Sequence, residues 1–337
     1  MSEKTNIKSA EDRLKEMPVQ TENIAFAPED MRTCTKCGRA NPPNRLKCFY
    51  CAADILIDTG SLAQATPLLR RLEAWEKGFN VVALSRIGLH TRVNLPAAAR
   101  ELGLERDAAE KLFASNAEIP VARVEGQREA NVLRLRLKNI GIETTVIADE
   151  SLHLEKFPRR IRALEFKSDQ MVATDFNTAE KLAISAADLI LVVSGTMYEM
   201  KTASIEKRKR SKSTLLDQTE TAADESVIDL YTRQDETGMR IYQSGFDFSC
   251  LAANKGLLAS ENMPKLVRRL IMTCVNATLD EKYAEVRDAL GLVWELETRK
   301  DYDGLRRSGF GKKDFGNVVT VNNHSQFNRY SRLRRLI

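Results

Sequence analysis

Four cysteines within eighteen residues constrain this chain more than any other feature. Cys34-Thr35-Lys36-Cys37 is followed, ten residues on, by Cys48-Phe49-Tyr50-Cys51. A Cys-x-x-Cys turn aims two sulfurs at one point, and two such turns wrap one Zn²⁺ in a tetrahedral set of thiolates. Gly38 follows the first pair and takes the positive φ that such a turn tends to need. A segment this short buries almost no apolar surface, so the metal supplies its folding free energy. A redox pair is the competing reading of one Cys-x-x-Cys, and the doubling of the motif disfavours it. The expected metal ligands are therefore Cys34, Cys37, Cys48 and Cys51, in a zinc ribbon over residues 31–53. Cys250 and Cys274 stand far away without a flanking base and read as buried small hydrophobes.

The 337 residues amount to about two domains. Apolar residues at 43%, charged residues at 29% and a net charge of +5 exclude a collagen-like, a wholly disordered or a disulfide-dense secreted chain. No apolar run approaches the ~18 residues of a membrane span, and the N-terminal stretch carries no apolar signal core. A cytoplasmic protein is expected. Only His90, His153 and His324 are available for histidine chemistry. No phosphate-loop, dinucleotide, metalloprotease or serine-hydrolase motif occurs, so no catalytic residue is assigned and a non-enzymatic protein is expected.

Composition divides the chain further. Residues 1–30 are polar and read as a flexible tail. Residues 31–51 carry Arg32, Lys36, Arg39, Arg45 and Lys47 and no acid, a charge that a tetrathiolate zinc centre of −2 only partly offsets. Leu62, Leu68, Leu69, Leu72 and Trp75 recur near helical spacing and predict a connecting helix over 60–77, stopped by Gly78. Residues 78–150 alternate as β-α-α-β-α-β: strands over 79–84, 119–124 and 142–148, and helices over 95–102, 105–114 and 127–140. Gly103 and Gly141 close two of those helices.

Residues 160–298 predict a β-rich domain closed by helices. Residues 187–195 form a strongly apolar strand, Asp235-Glu236-Thr237-Gly238 marks a hairpin, and helices are expected near 263–277 and 280–296. The basic run 207–212 stands close to the acidic stretch 217–225 and reads either as a solvated loop pairing with itself or as a phosphate-binding loop. Residues 299–337 read as a basic tail, in which ten Lys and Arg interleave with Tyr302, Phe310, Phe315, Phe327 and Tyr330. Such a mix can neutralise phosphates and stack on bases, or fold back on its own domain. The fold class expected is α+β multidomain.

Three resemblances follow from these residues. Leu102-Gly103-Leu104 to Lys111, with Glu129-Ala130 to Gly141-Ile142, resembles the C-terminal domain of the bacterial ribosomal stalk protein and the Clp protease adaptor domain of the same fold. Ser85-Arg86-Ile87-Gly88 stands where the Clp adaptor has Asn-Asp-Asp, and the dense Lys and Gly of the stalk domain are missing. That resemblance implies docking of protein partners. The pattern Cys-x₂-Cys-x₃-Asn-x₆-Cys-x₂-Cys, with Asn41 inside it, is similar to the Ran-binding-protein zinc finger, whose members bind single-stranded RNA or ubiquitin. Arg32 replaces the family's aromatic and Gly38-Arg39 replaces its Thr-Phe pair, so a plainer bacterial zinc ribbon with Cys-Gly and Asn-Pro is the nearer likeness. The strands and closing helix of 160–298 look like a pleckstrin-homology-type barrel. Together these imply a zinc-binding adaptor or regulator that docks proteins. The alternative is a nucleic-acid- or ribosome-associated protein using the basic ribbon and basic tail.

Overall fold

The computed structural model describes residue 26 and residues 30–55, 69–84, 94–115, 117–209, 212–309 and 312–337. The chain forms two compact units, Met1–Thr66 and Pro67–Ile337. The expected tail 1–30 lies almost wholly outside the described residues.

In the first unit, β1 (Arg32–Thr33) pairs antiparallel with β2 (Ala40–Asn41). Among its described residues the apolar cluster is Cys34, Cys48 and Ile55, with Cys51 and Ala53 against them, and Leu46 is also buried. That is too little buried surface to fold a segment unaided.

The second unit opens with the expected β-α-α-β-α-β order: β3 (Phe79–Ala83), α1 (Leu95–Leu102), α2 (Arg106–Ala114), β4 (Pro120–Val124), α3 (Gln127–Asn139) and β5 (Thr144–Ala148). Local signals set these limits. The Asn94 side chain accepts the Ala97 amide at the start of α1, and Gly103 ends it at φ +63°. Gly141, at φ +86°, turns the chain after α3 so that the Ile142 amide reaches the Leu137 carbonyl. The three strands pair antiparallel in the order β4-β3-β5.

A larger mixed sheet follows. It comprises β6 (Arg159–Phe166), β7 (Gln170–Asp175), β8 (Lys181–Ser185), β9 (Leu189–Lys209), β10 (Lys212–Thr232), β11 (Met239–Tyr242), β12 (Thr278–Asp280), β13 (Glu297–Gly309) and β14 (Lys312–Asn322). The pairing order is β13-β14-β9-β10-β11-β6-β7-β8, with β12 beside β9. This is a linear path with β13 and β8 at its ends, not a ring of pairings as in a closed barrel. Helices α4 (Ala259–Thr273), α5 (Tyr283–Leu290) and α6 (His324–Leu336) complete the unit. The result is a sheet-rich α+β fold.

The period-2 alternation of strands sorts β9 and β10 between two cores. Val192, Ile228 and Leu230 join Leu266 and Leu270 of α4 in one. Leu191, Val193, Val227 and Tyr231 join Tyr283, Phe327, Tyr330 and Leu333 in the other, which also contains Val81, Val121 and Leu133 of the small sheet and its helix. This double burial explains the unbroken apolar run in β9. Gly195 is needed where a Cβ would overlap the Phe327 ring and come within 3.0 Å of Tyr283.

Several expectations are corrected. Residues 69–77 are not helical; 60–68 lie outside the described residues. The carbonyls of Glu73 and Glu76 accept from Arg123, and that of Ala74 accepts from Arg329 at 3.2 Å, so tertiary hydrogen bonds override the helical spacing. Regions 78–150 and 160–298 share one core and do not form separate units. Residues 299–337 are not a tail: they supply β13, β14 and α6, and Phe327, Tyr330 and Leu333 are at most 1% exposed. Of the basic run 207–212, residues 207–209 are the end of β9 and Lys212 is the start of β10, so these are strand and not loop; 210 and 211 lie outside the described residues. The strand expected from 187–195 continues to Lys209, because β10 and β14 flank its outer half. The two helices begin and end elsewhere, at Ala259–Thr273 and Tyr283–Leu290, and the Cys274-to-Asp280 stretch between them adds β12 to β9.

Candidate metal centre

The two Cys-x-x-Cys turns are built alike. In the first, the Cys34 carbonyl accepts the Gly38 amide at 2.8 Å and the Cys34 amide donates to Arg39 at 2.9 Å. In the second, the Cys48 carbonyl accepts the Ala52 amide at 2.9 Å and the Cys48 amide donates to Ala53 at 2.7 Å. The residue after each second cysteine is left-handed: Gly38 at φ +71° and Ala52 at φ +57°. The glycine announced one of these positions. Nothing in the residue type at 52 announced the other.

Asn41 ties the turns together. It is fully buried, donates to the Arg39 carbonyl at 2.8 Å and accepts the Phe49 amide at 2.8 Å. The four sulfurs converge as expected: Cys34 to Cys51 is 3.7 Å, Cys37 to Cys48 is 3.6 Å, and all four lie within 4.8 Å of one another. A tetrahedron with metal–sulfur bonds of ~2.3 Å has edges of ~3.8 Å. The residues present therefore fit a metal ion, and Cys34, Cys37, Cys48 and Cys51 could hold it.

The electrostatics agree with this geometry. The Cys37 amide holds the Cys34 thiol below its ordinary value, against its burial. Burial works to raise the Cys48 thiol, but amides of Tyr50 and Cys51 bring it down to about 6. The Arg39 amide favours a Cys37 thiolate, yet burial and the three other thiols push that group up to about 12. Four thiolates cannot coexist here without a cation among them.

Around the sulfurs the surface is basic and aromatic. Phe49 and Tyr50 are 70% and 53% exposed and meet edge to face at 5.5 Å between ring centroids. The Arg39 guanidinium lies 4.7 Å over the Tyr50 ring and that of Arg45 lies 5.2 Å over Phe49.

The other titratable candidates lead elsewhere. Burial pushes the Cys250 thiol up to about 11 and raises that of Cys274, which is fully buried at the end of α4. His90 lies outside the described residues. His153 sits 3.2 Å from Glu236, and His324 begins α6. Of the cations in 299–337, Arg329 and Arg334 are consumed by structure: Arg329 donates to Asp149 at 2.8 Å, and Arg334 bonds Glu118 at 2.8 Å and lies 2.5 Å from Asp280. Among the described residues no helix is long and apolar enough to cross a membrane.

The chain matches no protein-family model, no curated protein and no solved structure. The likenesses to the stalk, Clp-adaptor, pleckstrin-homology and Ran-binding-protein families therefore rest on the residues quoted for them.

Proposed function

We propose that this is a zinc protein of the cytoplasm that acts by binding, and that its ribbon binds single-stranded nucleic acid. A closed set of four thiolates with no open position suits a structural Zn²⁺. A reducing compartment keeps such thiols available to the metal. The observation that carries the nucleic-acid reading is the exposed Phe49–Tyr50 pair beneath Arg39 and Arg45. Large rings left in water at the tip of a metal-held turn offer stacking faces to bases, and guanidiniums beside them offer contacts to phosphate. The test is fluorescence anisotropy of the full chain with labelled single-stranded RNA and DNA. Phe49→Ala and Tyr50→Ala should each weaken binding by about 5- to 150-fold, as the loss of ~1–3 kcal/mol of stacking requires. Unchanged affinity in both variants would overturn the reading.

A second reading, docking of a protein partner, is favoured by the small sheet. Strand β5 is its edge, beside a groove of about 620 Å³ lined by Phe79, Gln127, Asn131, Arg134 and the exposed Leu336 and Ile337. An extended peptide could add there as a further strand.

A further inference from the structure

Four cations line one groove on the outer face of α4. Lys265, Arg268, Arg269 and Met272 recur at helical spacing along that face. With Leu251 and Lys255, from the segment before the helix, they line a cavity of about 620 Å³. Leu251 belongs to the same core as Leu266 and Leu270 of α4, so that wall is fixed to the fold. Lys255, Arg268 and Arg269 are exposed and Lys265 is half-buried. None of the four forms an ion pair with a described residue. Arg269 does stack over the Phe166 ring, at 5.2 Å.

No acidic residue lines the groove. Glu261 stands at its margin: a Cβ on Gly256 would come within 3.0 Å of both the Glu261 carboxylate and the Lys265 ammonium. Asp247 acts on Lys255 through space. Even with both acids counted, the cations outnumber them. Lys265 repels Arg268 and Arg269 at three and four residues' distance along the helix, which disfavours α4 in isolation. An anion against this face removes that conflict.

Large apolar side chains bracket the cations. Leu257 follows Gly256, beside the Lys265 head group, and is wholly exposed, and its neighbour Leu258 is 59% exposed. Two turns along α4 from Lys265, Met272 is 79% exposed, and Val275 beyond the helix is 82% exposed. Exposed apolar side chains grouped in this way mark an interaction surface. No ring lines the groove for a base to stack on, and lysines are depleted from the centres of protein interfaces. An anionic bilayer satisfies both halves of the pattern: head groups take the cations and the acyl boundary takes the leucines.

We propose that the Leu257 loop and the outer face of α4 seat the chain peripherally on a membrane surface of anionic phospholipid. The surface uses no residue of the ribbon, so this proposal and the nucleic-acid reading can fail separately. The test is co-sedimentation of the full chain with phosphatidylcholine vesicles, with and without phosphatidylserine, at low and moderate salt. Wild type should bind the phosphatidylserine vesicles, less at the higher salt, and should bind the neutral vesicles far more weakly. K255Q/K265Q/R268Q leaves Arg269 on Phe166 and should weaken binding by about 100-fold, at ~5-fold per cation. K255R/K265R/R268K keeps the charges and should bind like wild type, which separates charge from structural damage. L257S/M272S should weaken binding ~10-fold at either salt, because loss of apolar contact is not screened. L257S alone, at a side chain wholly in water, keeps the test open should the triple variant fail to fold. Phe49→Ala and Tyr50→Ala should leave vesicle binding unchanged. Undiminished binding in a folded triple variant or in L257S, or equal binding to neutral vesicles, would overturn the proposal. So would loss of retention on poly-glutamate in the triple variant with no binding of wild type to either vesicle, which would assign the groove to a soluble polyanion.

Discussion

Arg329 of α6 donates to Asp149 at 2.8 Å across 180 residues of sequence, with both side chains at most 7% exposed. The same carboxylate accepts from Arg123 at 2.6 and 2.9 Å, from Asn80 at 2.9 Å and from the Gly78 amide at 2.9 Å. It thus ties the small sheet to the last helix. Asp149→Ala strands two buried guanidiniums and should cost ~3–5 kcal/mol in urea denaturation. Arg329→Met should cost clearly less, because Arg123 still neutralises the carboxylate. Equal losses in the two variants would refute this division of roles.

Metal removal should act on one unit only. Cys34→Ser or Cys48→Ser should release the ion and unfold residues 31–53, since little else is buried there. Elemental analysis should fall from one metal per chain to none, while the melting transition of residues 67–337 stays in place. One metal per chain persisting in the double variant would end the assignment.

The matched turns predict opposite responses to matched substitutions. A Cβ at Gly38 meets nothing within 4 Å, so Gly38→Ala should cost only the ~1–2 kcal/mol of a left-handed alanine. Ala52 already bears that strain at φ +57°, and Ala52→Gly should leave the ribbon as stable or slightly more so. Competition of each variant with a metal-ion chelator reads both effects on one scale.

The loop before β3 should show its own acid limb. Arg70 clasps Glu76 at 2.6 and 2.9 Å, and the Glu73 amide adds a bond at 2.8 Å. The Arg70 hydrogen bond leads these in lowering the Glu76 carboxyl from 4.5 to about 2. A depressed folded value means that the stabilisation is complete above the unfolded value and fades as pH falls from about 4.5 towards 2. Glu76→Gln should therefore lower stability at pH 5 and above, with the difference from wild type vanishing near pH 2. A difference that persists undiminished at pH 2 would contradict this origin.

What could be read in the residues was local. Gly103, Gly141 and the apolar spacing between them marked the helices and strands of 78–150 to within a few residues, and two Cys-x-x-Cys pairs marked the sulfur cluster. The left-handed Ala52 carried no such mark. Residues 69–77 misled because their leucines and Trp75 keep helical spacing while Arg123 and Arg329, far along the chain, claim their carbonyls. The basic C-terminal stretch misled for a related reason. Arg329, Arg332 and Arg334 are polar residues in a buried helix, each held by an acceptor from a distant element, including the Lys156 carbonyl at 2.9 Å from Arg332. Pairing register is also invisible to composition, and register alone brings Arg208 beside Lys313.

The placement of α6 has a consequence for how the chain is made. Translation delivers residues 324–336 after every strand of the large sheet, yet Phe327, Tyr330 and Leu333 fill the core shared by that sheet and the small one. A nascent chain lacking them holds Asp149 without Arg329 and Asp229 without Ser331. Cooperative closure of the second unit must then await the helix's release from the ribosomal tunnel. A chain truncated before residue 324 is therefore expected to be cut by a protease far faster than one that includes α6, because its shared core stays open.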